Sequence, residues 1–468
     1  MGRESSIAVA CLVALLASFV VFGEPHYSMD LSVDFAAGTV LGSLRLDYRN
    51  ATDLPQTELF FRLYPNAIHI YGDASLRLLA VEVGGSSVEP RLFVEDTVLM
   101  VPLFIPLQPG ETTSIELTFK ASASSHVPDP QDELLNYGIL TKSEGALVLT
   151  SFYPILAAYT EEGWAIDPPF PFGDALSAET ASYDVRLTFP SGLTSITTGK
   201  LVEQTSSFGS TTHRFTIDQA RDFSAVLATG LMEQTASVGT STLHVWFTPG
   251  HSNAARRAID VASASIELFE LLIAPSPFDD IDIVEVPLNR VAGVEFSGLI
   301  LVSSSYAAQP STTFYDIIVS HEIAHQWFYA GVGNDPIESP WLDESLATYL
   351  SYVFLEAAAP LRTAARELVG WQSTFERARA EHPDAAIDSP LYAFPDSSTY
   401  SAFVYSGGAA MLDAIRREIG DAAFFAALAT YYAQYEHHLA PEPALMAAFE
   451  EACACSLAAI RSEFGLDP

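Results

Sequence analysis

Lysine is nearly absent from this chain: Lys120, Lys142 and Lys200 are the only three among 468 residues, against 19 arginines. The 32 Glu and 26 Asp are an ordinary acidic content, yet the formal charge reaches −36. The imbalance is a shortage of cations more than an excess of acid. A surface of that sign repels phosphate backbones and anionic headgroups. Nucleic acid is therefore excluded as a partner, and membrane contact is left to the N-terminal segment. Cysteine is scarce too, with Cys11, Cys453 and Cys455 alone. That rules out a disulfide-stapled scaffold, and no histidine pattern near the cysteines marks a metal site. A bridge between Cys453 and Cys455 would span one residue and be strained, so the pair reads as two small apolar side chains. There is no internal repeat and no low-complexity tract, and with 49% apolar residues the chain is not disordered.

Long apolar runs are absent after the first two dozen residues. Residues 7–23 (IAVACLVALLASFVVFG) carry no charge and follow Arg3. They read as the apolar region of a secretory signal cleaved after Gly23, or as an uncleaved membrane anchor. Either reading expects the bulk of the chain to be extracytoplasmic. Asn50-Ala51-Thr52 is a glycosylation sequon in a host that glycosylates.

Length suggests two or three domains. From residue 24 to 236 the chain is β-rich. Leu44, Leu46 and Tyr48 alternate with Arg45, Asp47 and Arg49. Ile115, Leu117 and Phe119 alternate with Glu116, Thr118 and Lys120, and Tyr183, Val185, Leu187 and Phe189 form a third such run before Pro190. Period-two patterns predict half-buried antiparallel strands, hence a large sheet or sandwich. From 237 to 468 the chain becomes Ala-rich, and apolar residues recur at helical spacing. The pattern predicts helices over 253–272, 312–330, 341–357, 360–381, 402–418, 421–435 and 443–452, with a strand-like run from Ile281 to Val286. The expected architecture is a β-rich N-terminal domain followed by a helix-dominated domain, an α+β multidomain chain. Trp164, in a Pro/Gly-rich stretch, is expected between the two. Arg416-Arg417 reads as a solvated helix face and His437-His438 as a solvated loop pair.

Inside the second predicted helix lies His321-Glu322-Ile323-Ala324-His325. Imidazoles at i and i+4 share one helix face and are spaced to grip a single metal ion. A chance match in a chain of this composition has odds of about 2%, so the motif needs a third ligand to carry weight. Glu344, in Trp341-Leu342-Asp343-Glu344-Ser345, opens the next predicted helix and can face back toward the first. Read alone, it is equally an acid that favours a helix N-terminus.

HEIAHQWF followed by PWLDESLATYL resembles the gluzincin aminopeptidases, the family of aminopeptidase N and leukotriene hydrolase. VAGVEFSGLI (291–300) resembles that family's Gly-x-Met-Glu-Asn exopeptidase motif, and VYSGGAAMLDAIRREIG (404–420) its tyrosine-bearing segment. ELFFRLYPNA and SFYPILAAY in the β-rich half resemble bacterial members, so the likeness runs over 27–468. It implies a β-rich saddle or sandwich domain before a thermolysin-like catalytic domain. It implies one Zn²⁺ per chain on His321, His325 and Glu344, a donor set that suits zinc over magnesium or calcium. Such an ion brings the pKa of a coordinated water to about 7 and polarises the scissile carbonyl. Glu322 would take the water's proton and pass it to the leaving amine. Tyr405 would donate to the developing oxyanion. Glu295, with Gly293 in the same motif, would bind the substrate's free α-ammonium. Without the resemblance, Tyr405 reads as a core tyrosine and Glu295 as a solvated strand-end acid.

The chain departs from the family at several points. Met-Glu-Asn is Val294-Glu295-Phe296. No second amine-binding acid is evident at Thr150-Ser151-Phe152. Tyr349-Leu350-Ser351 lacks the usual acid, which leaves Asp343 and Asp335 as candidates for orienting the ligands. The chain stops at Pro468 without the helical C-terminal domain of many relatives, so a more open cleft is expected. The reading is a zinc metallopeptidase, an aminopeptidase acting on peptides with a free N-terminus. A zinc endopeptidase or other zinc hydrolase, and a non-catalytic scaffold, are the alternatives.

Overall fold

A computed structural model describes residues 24–125, 136–143, 145–160, 162–310 and 312–466. The N-terminal signal or anchor segment lies outside the described residues. Among the described residues, no helix is long and apolar enough to cross a membrane.

The alternating segments form strands as their period requires. Thr39–Arg49, Thr112–Ser122 and Ala181–Pro190 lie in an eight-stranded sheet. Leu44, Leu46, Ile115, Leu117, Phe119, Val185 and Leu187 point into the core, while the charged residues between them face out. The first strand, His26–Asp34, runs antiparallel to Thr39–Arg49 and parallel to Ala181–Pro190. Two four-stranded sheets and a two-stranded ribbon (Tyr159–Thr160 with Gly163–Trp164) complete this unit, and most inward side chains of the four-stranded sheets share the large sheet's core.

A second unit is built on a five-stranded sheet. Its order is Met232–Val238, Ser241–Phe247, Asp280–Val286, Leu299–Ser303 and, at the edge, Gly293–Phe296. Helix α1 (Ser252–Leu272) connects two parallel strands of this sheet. Helices α2 (Thr313–Ala324) and α3 (Trp341–Ala358) pack against each other, and one hydrophobic cluster runs from Val238 to Leu466. Strand Met232–Val238 already belongs to this sheet, so the change of unit falls a few residues before position 237. The two units meet through apolar sheet faces: Val148, Ile196 and Val226 pack with Val284, Leu299 and Leu301. That contact backs the edge strand that carries Glu295.

Several sequence expectations change. The helix expected over 312–330 ends at Ala324: the N–H groups of Gln326 and Trp327 bond to carbonyls three residues back, and the chain then turns at Tyr329 (φ 135°). The helix expected over 402–418 is two: a π-helical turn, Ala402–Gly407, leads into helix α4, Gly408–Ile419. Cys453 and Cys455 are joined in a disulfide, because Ala454 adopts a left-handed conformation (φ 50°) that turns the two sulfurs together. Asn50 is fully buried, donating to the carbonyls of Leu54 and Leu107, so the sequon's amide is committed to the fold. Arg416 is no solvated residue: it pairs with Glu356 and Asp421. Trp164 packs on Tyr159 and Phe60 within the β-rich unit rather than between units.

Candidate metal centre

Helix α2 is capped by Thr312, whose hydroxyl accepts the Tyr315 N–H at 3.2 Å. The helix delivers His321 in its last turn and His325 at its C-cap. His325 Nδ1 lies 3.0 Å from the Phe328 carbonyl, which can only accept, so Nδ1 carries the proton and Nε2 offers its lone pair. His321 Nε2 is 3.1 Å from His325 Nε2. Glu344, in the first turn of α3, brings Oε2 to 3.2 Å from His321 Nε2 and 3.5 Å from His325 Nε2. The Glu344 Oε2 atom is buried and has no hydrogen-bond partner. Three lone-pair atoms thus converge on one point, an arrangement that a cation satisfies. Two imidazoles and one carboxylate fit zinc with a coordination position left open. His321, His325 and Glu344 stand together as expected.

Glu322 is 5% exposed, and its Oε2 is also unpartnered. Carboxylate oxygens of Glu295 and Glu322 and a ring nitrogen of His325 lie within 4.8 Å of one another. Burial raises the pKa of Glu322 well above the ordinary carboxylate value, and the Glu295 charge adds to it. Burial likewise pushes Glu295 up to about 7. Burial opposes charging His325, while the Glu295, Glu344 and Glu322 carboxylates favour it and hold its pKa well up, so a cation taking the Nε2 lone pair displaces a proton that these acids favour there. Gly293 is the reason that Glu322 fits: a Cβ built there would lie 2.3 Å from Glu322 Oε1.

Tyr405 reaches the centre from the π-helical turn, and its hydroxyl donates to Glu344 Oε1. Its ring stacks on His321 at 5.9 Å between centroids. Burial, then the Glu344 charge, keep the phenol's pKa well above its ordinary value, so it remains a donor. Two glycines bring the turn in. A Cβ on Gly407 would strike the Phe375 ring, and one on Gly408 would lie 1.9 Å from Ser345 Oγ, which donates to the Val404 carbonyl. Asp343 accepts the Glu344 N–H and so fixes the helix start rather than an imidazole. Asp335 accepts the N–H groups of Ile337 and Glu338 in a turn, which removes it from the ligand-orienting role.

Gly293, Glu295, His321, Glu322, Glu344 and Tyr405 line a cleft of about 450 Å³ between the two units. One lining residue was missed from the sequence: Asp174, in the loop before strand Ala181–Pro190. Burial raises its pKa well above the ordinary value, and the Glu295 and Glu344 charges raise it further. Its only sequence signal was an acid after Phe172-Gly173 in a Pro-rich loop. Ser151 lines the cleft as well, with φ 50°.

The family profile described as peptidase family M1 domain matches residues 257–464. The matched stretch holds His321, Glu322, His325, Glu344 and Tyr405. The chain is 29% identical to aminopeptidase M1-B of Oryza sativa over 224 residues, which are 45% of this chain and 25% of that protein. It is 25% identical to aminopeptidase N of Lactococcus lactis (strain MG1363) over 206 residues, 41% of this chain and 24% of that protein. The alignments thus span about a quarter of these curated relatives. Across both units together, the fold is similar to that of an M1 zinc metallopeptidase from Deinococcus radiodurans. That match has a TM-score of 0.64 at 20% identity and covers 95% of this chain and 94% of that one. A variant of the Deinococcus protein bound to a Tyr-Ser-Ala substrate matches with a TM-score of 0.64 at 19% identity, covering 95% and 94%.

Proposed function

We propose that this chain is a zinc aminopeptidase that removes N-terminal residues from peptides. The observation that carries it is the distance between two acids: Glu295 and Glu322 bring carboxylate oxygens within 4.8 Å of each other and of His325. An α-ammonium held by Glu295 has its own carbonyl carbon only about 2.5 Å away, by two covalent bonds. The first peptide bond then lies beside Glu322. The second is about 3.8 Å further along the chain and out of register. Asp174 places another carboxylate in the same cleft and supplies the second acid facing the ammonium that the β-rich half did not show at Ser151.

His321, His325 and Glu344 would hold the zinc ion, which supplies Lewis acidity toward the scissile carbonyl and an acidified water. Glu322, packed against Gly293, takes the proton of the attacking water and returns it to the departing amine. The Tyr405 phenol, protonated and held at Glu344, donates to the substrate's carbonyl oxygen as it gains charge. Glu295 and Asp174 fix the amino end, so the reacting atoms are oriented before the chemistry begins.

The apolar, uncharged run of residues 7–23 supports an extracytoplasmic location, secreted, periplasmic or tethered. The deciding experiment compares one peptide library with free and N-acetylated termini, with and without a chelator. Cleavage of free termini alone, abolished by the chelator, is expected. Chelator-sensitive cleavage of acetylated peptides would make the chain an endopeptidase and remove the role given to Glu295. Unchanged hydrolysis by Glu322→Gln would overturn the mechanism.

A further inference from the structure

Glu295 sits on the edge strand of its sheet, hydrogen-bonded on one side only, to Leu299–Ser303. An edge strand has fewer bonds to hold it than an inner one. Two clamps grip the residues just after Glu295. The first is Gln326, the neighbour of His325: its Oε1 accepts the Gly298 N–H at 2.9 Å, and its Nε2 donates to the Phe296 carbonyl at 3.3 Å. The second comes from the other unit. Asp222 Oδ2 accepts the Ser297 N–H, the Ser297 hydroxyl and the Tyr329 hydroxyl, each at 3.0 Å. Ser297 Oγ in turn accepts the Arg221 N–H at 3.0 Å. Asp222 is 1% exposed and Ser297 is fully buried, so these bonds face no competing water. The Arg221 side chain, donating to the carbonyls of Ala178, Tyr329, Gly331 and His438, ties the same corner to the turn after α2.

We propose that Asp222 is a positioning residue for substrate amine recognition: from the β-rich unit, it sets the position of Glu295 relative to the metal centre through Ser297. Gln326 fixes the strand to the metal helix, and Asp222 fixes its lateral position. Loss of the Asp222 clamp lets Glu295 shift against Glu322 while His321, His325 and Glu344 stay in place. The effect falls on binding of the amino end and not on the chemical step.

This inference rests on Glu295 as the amine anchor, so the test includes Glu295→Gln. Zinc-loaded full chains are compared on one tripeptide and its N-acetylated form. Calorimetry then measures binding of leucine amide and N-acetyl-leucine amide. Ser297→Ala keeps the backbone donor and removes only the hydroxyl, so it folds. It is expected to raise KM for the free tripeptide about three- to tenfold with kcat within twofold, to weaken leucine amide by the same factor and to leave the acetylated ligands unchanged. Asp222→Ala is expected to do more in the same direction. Asp222→Asn is expected to restore values to within about twofold, because its carbonyl oxygen still accepts from Ser297 and Tyr329 while its NH₂ can donate to Ser224 Oγ, 3.1 Å from Asp222 Oδ1. If Glu295→Gln shifts the free-to-acetylated ratio and Ser297→Ala and Asp222→Ala do not, the clamp is refuted and the anchor stands. If Glu295→Gln leaves the ratio unchanged, the anchor and the clamp both fall. Equal losses of affinity for leucine amide and N-acetyl-leucine amide, or a loss in kcat alone, would make Asp222 a structural residue and overturn the proposal.

Discussion

Gly293→Ala tests the active-site geometry through one methyl group. The Cβ would lie 2.3 Å from Glu322 Oε1, 2.5 Å from Cδ and 2.7 Å from Cγ. An ordinary carbon–oxygen contact is about 3.3 Å, so the carboxylate must retreat by about 1 Å. The backbone cannot absorb this. Gly293 lies in a strand paired with Val302, and Glu322 is inside α2, whose next turn holds His325. Gly293 is outside the left-handed region, so alanine adds no backbone strain and the effect is purely steric. A reacting group misplaced by about 1 Å costs on the order of 100-fold in rate. Overpacking costs about 1–3 kcal/mol of stability. The expected outcome is a kcat lower by about two orders of magnitude, with one zinc still bound per chain by elemental analysis and a modest fall in Tm. Retained kcat, within about threefold of the parent with zinc bound, would show that Glu322 does not act from the position that Gly293 leaves it. Loss of zinc would show that the glycine supports the ligands instead.

Tyr405→Phe should lower kcat by about 100-fold and leave zinc content unchanged; a loss of zinc would assign the hydroxyl to holding Glu344. Stripping the metal with dipicolinate should abolish hydrolysis and lower Tm, since a ligand at 1,000 times its Kd adds about 4 kcal/mol; an unchanged Tm would contradict a site preformed in the fold. Asp282, which accepts a hydrogen bond from Trp246 Nε1 near His244, Asp280 and Glu233, gives a pH signature away from the cleft. Burial pushes its pKa up to about 7, whereas in the unfolded chain it ionises near about 3.9. The folded state therefore binds the extra proton between these values, and stability falls as pH rises through that window. Asp282→Asn should flatten this part of the urea-unfolding profile by about 1–3 kcal/mol, and an unaltered slope would refute it.

The parts of the site legible in the sequence are those whose geometry is local. His321 and His325 share a helix face by spacing alone, and Glu322 is fixed beside them by the same helix. The β-rich half was legible because period-two burial needs only the strand itself. Helix α3 was expected over 341–357 and is there, but Trp341 through Leu355 is buried on all sides, so no amphipathic face in the sequence marks which side meets the metal. Glu344 became a ligand only when α2 and α3 were packed together. Tyr405 depends on a π-helical turn, and the tracer of that turn is Gly407-Gly408, whose missing side chains let Phe375 and Ser345 approach. Asp174 and Asp222 had no motif at all, because each acts across an interface between segments far apart in the chain. The pattern has a physical cause. The reaction needs ligands at fixed short spacing, which one helix can provide, so that chemistry is written as a motif. Choosing an amino end over a chain interior needs a distance between two elements. Here that distance is held by Gly293 against Glu322 and by Asp222 against Ser297, contacts that appear only when the two units close on the same cleft.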